Sequence, residues 1–420
     1  MKSIRLRYLA EVNPATKEFD ALADDAELTF MPLETVWADG RHDASRMAVK
    51  SDVTMGYTRF RDGDVLLPKV TPTFQAGRVA RVEGLAGGVG AGTTELHVLR
   101  ARRGIDPRYV AYALRSKHFI EEGVTAFQGV AGLQRVPERF VRDFEVADLS
   151  LTEQRRIADF LDTQTSKIDL LIDAHRRQVM TLDERIVQYA RRLTTVGLSP
   201  HPATRATGIA WMPEMSVDWT LWRVGHAFRT SSGTTPPSTE RQYYDGSIPW
   251  VNTGDLRDGP VDQPAKSVTA LALATYSSLR LYQPGALVVA MYGATIGRLG
   301  ILTQAACVNQ ACCVLHSPSS VQVSYAFYWF LAHRSHIVAL GEGGGQPNIS
   351  QEAVRSLRIP APTLVEQDVI VEAIGQRAEH AEDLTRTVER QIALLIERRQ
   401  ALITAAVTGQ LDVTTARGVE

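Results

Sequence analysis

Apolar residues in two stretches of this chain recur at steps of three and four. In the first they fall at Ile157, Leu161, Ile168, Leu171, Val179, Leu182, Ile186, Tyr189 and Leu193, with a shift of register near His175. In the second they fall at Ile370, Ile374, Ala381, Leu384, Val388, Leu395 and Leu402. That period predicts long amphipathic helices. Each opens on a capping box, Ser150 with Glu153 and Thr363 with Glu366, in which each side chain satisfies the other residue's backbone N–H. Each stops near a glycine, Gly197 and Gly409. About 44 residues at about 1.5 Å each make rods of roughly 65 Å. A stripe so narrow on a rod so long must bury against a partner helix. Connectivity favours antiparallel pairing of the two; parallel pairing, or packing on another subunit, are the alternatives.

Outside the rods the pattern changes to short alternating or wholly apolar runs. Val65–Leu67, Arg78–Val82 and Glu95–Leu99 read as strands punctuated by Gly and Pro, and Pro107–Phe119 as a helix with Pro107 in its first turn. The later segment repeats this with strands near Leu287–Met291, Leu299–Leu302 and Ala311–Leu315, then a helix near Tyr325–Leu340. Glycine-rich loops at Gly87–Gly92 and Gly341–Gly345 interrupt the two segments. The expected fold is α+β, with two similar mixed domains separated by two long antiparallel coiled-coil helices. The expected divisions are 1–149, a helix at 150–197, 198–362, a helix at 363–410, and a tail at 411–420.

The chain is written twice. Ser150-Leu151-Thr152-Glu153-Gln154 recurs as Thr363-Leu364-Val365-Glu366-Gln367, 213 positions later. At the same offset Val136-Pro137 aligns with Ile349-Ser350, and Phe144-x-Val146 with Leu357-x-Ile359. Further upstream the offset drifts. There Phe60-Arg61-Asp62-Gly63-Asp64 parallels Tyr282-Gln283-Pro284-Gly285-Ala286, Gly77-Arg78 parallels Gly297-Arg298, and Tyr109-x-x-Tyr112 parallels Tyr325-x-x-Tyr328. Two diverged copies suggest a protein that reads two similar but unequal things.

At 420 residues the chain can hold two or three domains, and its apolar and charged fractions are ordinary for a folded protein. No apolar run is long enough to span a bilayer, and no basic leader precedes one. Three cysteines (Cys307, Cys312, Cys313) make no disulfide framework, so a cytoplasmic protein is expected. Residues 1–150 are charge-balanced, 201–363 slightly basic and 364–420 acidic. A nucleic-acid binder with that balance must cluster its basic residues on one face and share the work with a partner.

Nothing in the sequence fits a phosphate-binding GxxxxGK[ST] loop. Asn13-Pro14-Ala15 lacks the aromatic residue that amino-methyltransferases use to hold a flipped adenine. Gly87–Gly92 fails the dinucleotide spacing, His97, His118 and His175 lack metal-ligand spacing, and Cys312-Cys313 sits in an apolar strand. No catalytic or metal residue is expected. Candidate DNA-reading groups are Lys69, Thr71, Thr73, Gln75 and Arg78, with Tyr292, Thr295 and Arg298 in the comparable loop of the second half. Gln128, Gln134 and Arg135, and opposite them Gln346, Asn348 and Ser350, precede the capped helices. Arg, Gln and Asn can pair bidentately with guanine or adenine edges. Solvent-facing loop polarity is the plain alternative for any one of them; their recurrence in corresponding loops favours the set.

The run Leu151-Thr152-Glu153-Gln154-Arg155-Arg156-Ile157-Ala158-Asp159-Phe160-Leu161-Asp162 resembles the central segment of specificity subunits from Type I restriction–modification systems. Pro360–Gln367 leading to Leu395–Ile403 is similar to their C-terminal segment, and Gly208-Ile209-Ala210-Trp211-Met212-Pro213 to their entry into a second target-recognition domain. The chain departs from that pattern at Asp368-Val369-Ile370, where the family carries a basic pair. The resemblance implies a non-catalytic, DNA-binding subunit whose two domains read a bipartite double-stranded DNA target, with helices that set the spacer. It also implies two methyltransferase subunits bringing S-adenosylmethionine, and two endonuclease subunits using ATP and magnesium. Ser150, Glu153, Gln154, Thr363, Glu366 and Gln367 would serve the helix openings. A coiled-coil scaffold without DNA, or a fused DNA methyltransferase or nuclease, are the rival readings.

Overall fold

The computed structural model describes residues 2–129, 134–341 and 348–413. The fold is α+β. The chain divides into two compact units, Met1–Arg177 with Val388–Glu420, and Gln178–Thr387. Both divisions fall inside the long helices Leu151–Val196 and Leu364–Val407, so each unit holds one mixed domain and part of each helix.

In the first unit a four-stranded sheet runs in the order Ala10–Val12, Leu96–Ala101, Val65–Pro68, Ala80–Arg81. A second runs Met47–Val49, Glu27–Met31, Val89–Thr93, Tyr57–Arg61. The helix expected over Pro107–Phe119 is two, Pro107–Arg115 and Lys117–Thr125. Ser116 is extended between them (φ −64°, ψ 146°) and its hydroxyl accepts the Phe119 N–H, so a good N-cap restarts the helix in a new direction. Tyr109, Leu67, Leu99 and Phe119 share a core with Ile157 and Leu161 from the start of the first long helix and Ile403 and Ala406 from the end of the second. Arg399 pairs with Asp169 beside this core. Within this unit the helices therefore run antiparallel, and burying each leucine or isoleucine of the seam contributes about 1.5–3 kcal/mol.

In the second unit the main sheet is Arg229–Ser232, Cys312–His316, Leu287–Ala290, Leu299–Leu302, Gly259–Val261. A smaller one is Ser267–Val268, Tyr244–Val251, Cys307–Val308. Trp329, Tyr325 and Phe330 of the helix Val323–Ala339 pack with Ala190 and Leu193 from the end of the first long helix and Ile370 and Ile374 from the start of the second. Arg377 lies over the Tyr189 ring at 4.6 Å.

The first four strands of this main sheet follow the strand order of the first unit, and matching hydrogen bonds fix the correspondence. Gly63 N–H donates to Val82 O (2.8 Å) and Gly285 N–H to Leu302 O (2.7 Å), both glycines at positive φ. Leu6 N–H donates to Phe144 O and Val224 N–H to Leu357 O, each at 2.9 Å. Val65 faces Leu99 as Leu287 faces Leu315. On these matched strands the side chains diverge. Buried Asp64, held by Arg100 through two 2.8 Å bonds, corresponds to Ala286, and Arg100 to His316.

Candidate nucleic-acid interface

The two helix openings hold the mixed domains through one buried glutamine each. Gln154 donates to Leu149 O (2.9 Å) and accepts the N–H of Asp106, the N-cap of the Pro107 helix (3.0 Å). Gln367 donates to Pro362 O (3.0 Å) and Ser320 O (3.0 Å), and accepts the N–H of Gln322, the N-cap of the Val323 helix (2.8 Å). Both are about fully buried, at 1% and 0% exposure. The outer residues of the motif differ. Ser150 and Glu153 close a reciprocal capping box, while Thr363 accepts the Glu366 N–H at 3.3 Å. A tyrosine repeats the same logic: Tyr109 donates to Ala147 O (3.3 Å), Tyr325 to Pro360 O (2.8 Å) and Thr194 O (3.0 Å).

Each domain so anchored presents a loop cluster beyond a central strand. In the first unit Val136 N–H donates to Lys69 O at 2.8 Å; in the second Ile349 N–H donates to Met291 O at 2.8 Å. These bonds lay the segment before the capped helix across the loop that follows the Gly-Asp or Gly-Ala strand. Thr71 N–H donates to Gln134 O (3.0 Å), and Gln128 and Arg135 exchange backbone bonds at 2.9 and 3.0 Å. Lys69, Thr71, Gln128, Gln134 and Arg135 are thereby brought together, with Gln75 exposed on the same loop and Arg78 half-buried at its end. Thr73 donates its hydroxyl to Val70 O. In the second unit Tyr292 bridges Asn348, and Thr295 and Arg298 follow on the same loop. Ser350 is engaged as N-cap of Gln351–Ser356, accepting the Ala353 N–H. Gln346 lies outside the described residues. The loops turn alike, on Gly77 (φ 64°) and Gly297 (φ 76°), whose added Cβ would meet Ile120 at 3.0 Å and Val338 at 2.9 Å.

Three partners of these loops were not singled out from sequence. Glu95 chelates the Arg135 guanidinium through two 2.7 Å bonds. Gln310 accepts the Tyr292 hydroxyl on its carbonyl at 2.8 Å. His97 lies 3.1 Å from Val136 O, so Nε2 carries the proton, and Nδ1 accepts from Asn13 Nδ2 at 3.2 Å. Only an i to i+40 contact defines Glu95 with Arg135, and no local spacing signals it.

Burial, the largest influence, holds the His97 imidazole below its ordinary value of 6.5. As pH falls below about 6.5 the unfolded chain takes up a proton that the folded unit refuses, so this group's share of stability is lost on acidification. The protection factor of the Val136 amide, its exchange rate corrected for the intrinsic rate at each pH, is expected to fall between pH 7 and 5.5, and His97→Gln to flatten that dependence. An unchanged slope in the variant would assign the titration elsewhere. The cysteines offer no nucleophile: burial pushes the thiols of Cys312 and Cys313 up to about 12. Among the described residues, no group of three or more His, Cys, Asp or Glu could hold a metal, and no helix is long and apolar enough to cross a membrane.

Residues 216–393 match the Type I restriction modification DNA specificity domain. The chain is 35% identical over 189 residues to the EcoEI specificity subunit of Escherichia coli, and 36% identical over 187 residues to the EcoAI specificity subunit of the same organism. These matches take in 43% and 42% of the chain but 31% of either relative's own length. A solved chain from a study of complex assembly and conformational transition of the type I R-M system shares the fold, with a TM-score of 0.72 over 98% of both chains at 18% identity. Over the matched residues the chain is thus similar to the specificity subunits of Type I restriction–modification systems, and its fold is that of the solved chain.

Proposed function

We propose that this chain is the non-catalytic DNA-recognition subunit of a Type I restriction–modification complex in the cytoplasm. The loop cluster of each unit reads one half of a bipartite double-stranded DNA target. The observation that carries this reading is the pairing of one conserved frame with two different loop surfaces inside a single chain, Lys69, Gln134 and Arg135 in one and Tyr292, Arg298 and Asn348 in the other. A scaffold has no use for that combination. The long helices also expose Leu170 (68%), Met180 (62%) and Leu394 (64%), apolar surface that suits the docking of two methyltransferase subunits. Two endonuclease subunits would complete the complex. S-adenosylmethionine, ATP and magnesium belong to those partners.

The test is co-expression with the methyltransferase subunit in a host lacking adenine methylation, followed by methylation-sensitive sequencing. A bipartite motif that vanishes when the chain is omitted supports the proposal; methylation unchanged by omission rejects it. The helices are the ruler between half-sites. Deleting seven residues, about two turns, from the middle of both is expected to shorten the spacer by about three base pairs while both half-site sequences persist. A change in the bases read would reject the ruler.

A further inference from the structure

We infer that Glu95 is a positioning residue that aims Arg135 at a guanine in the half-site read by the first unit, an inference that rests on the DNA-reading proposal. Arg135 Nε and Nη2 both donate to the Glu95 carboxylate at 2.7 Å. That contact uses one side of the guanidinium. The end of the fork, one N–H on each terminal nitrogen, is left pointing away from the carboxylate, and it has the spacing that matches guanine O6 and N7.

Both backbones are fixed before DNA arrives. Arg135 exchanges N–H and C=O bonds with Gln128, Glu95 N–H donates to the Thr93 hydroxyl at 3.1 Å, and Glu95 C=O accepts from Lys69 N–H at 2.9 Å. The Arg135 side chain is 44% exposed and that of Glu95 23% exposed. An ion pair so open adds little to folding stability, so its rigid two-bond geometry has its use elsewhere. Holding the guanidinium in one plane removes the rotamer entropy that a free arginine loses on binding. The arginine beside it holds the Glu95 carboxyl below the usual range, which keeps it an acceptor throughout neutral conditions. At the matched position the second unit has Asn348, which carries no charge and needs no carboxylate. The device is therefore confined to one half-site.

The experiment is motif sequencing of the co-expressed complex with Glu95→Gln, Arg135→Lys and Arg135→Ala. All three are expected to relax one and the same G·C pair, on the order of 10- to 100-fold for Arg135→Ala and less for Glu95→Gln. The second half-site stays unchanged, and Glu95→Gln adds nothing in an Arg135→Ala background. Arg135→Lys keeps the charge but cannot make both forks, so it preserves overall methylation while losing the base, which separates readout from misfolding. The inference is overturned if the relaxed pair is not G·C, if Arg135→Lys leaves the motif sharp, or if Glu95→Gln leaves it sharp while Arg135→Ala does not. An unaltered chain that yields no bipartite motif overturns the DNA-reading proposal itself, and this inference with it.

Discussion

Replacing Gln367 with leucine is expected to lower the melting temperature of the second unit by roughly 10 °C. The side chain is wholly buried and its three hydrogen bonds all end on main-chain groups, the carbonyls of Pro362 and Ser320 and the N–H of Gln322. Leucine fills the volume but leaves those groups without partners, at about 3–5 kcal/mol together. For a unit of this size each kcal/mol moves the transition by about 2–4 °C. Gln367→Glu discriminates the cause. It keeps the acceptor for Gln322 but turns a second carboxylate oxygen toward carbonyls, so it should be at least as damaging as leucine. Gln154→Leu orphans fewer groups and should cost less. Calorimetry of the variants, with exchange at the Gln322 and Asp106 amides, decides. Unchanged protection at Gln322 would show that the glutamine is a filler of space.

The Asp64–Arg100 pair gives the other large effect. Asp64 is 1% exposed and also accepts the Arg61 N–H at 2.9 Å. Arg100→Met strands that carboxylate in the core of the first unit, at about 3–5 kcal/mol. The second unit already shows the remedy, since it builds the same strands with Ala286 and His316. Asp64→Ala with Arg100→Met should therefore recover most of the loss, measured as urea midpoints. A double variant no better than the single would mean that packing of the arginine, not the buried charge, carries the stability.

Much of the fold was written in the chain because its signals are local. The three-and-four spacing from Ile157 to Leu193 and from Ile370 to Leu402 marks the long helices, and the repeated Ser/Thr-Leu-x-Glu-Gln openings mark their starts. The upstream half of the repeat was readable at Gly63 and Gly285, where a positive φ makes the residue type informative. The break at Ser116 was not, because the apolar spacing continues across it and only the cap geometry ends the helix. The site divided in the same way. Loop polarity near Lys69 and Arg135 was visible, but the role of Glu95, 40 positions from its partner, depends on strand pairing. Gln154 and Gln367 were seen as parts of an opening motif, whereas their reach to a distant N-cap exists only in three dimensions.

The anchors of each mixed domain share one property. The bonds that Gln154, Gln367, Tyr109 and Tyr325 make across each joint end on backbone N–H and C=O groups. A joint that addresses the main chain is indifferent to which side chains the attached domain carries. Such a domain can drift, or be replaced by another of the same backbone course, without renegotiating its attachment. The joint is thus built so that the surface of the attached domain can change while the fitting that holds it stays constant.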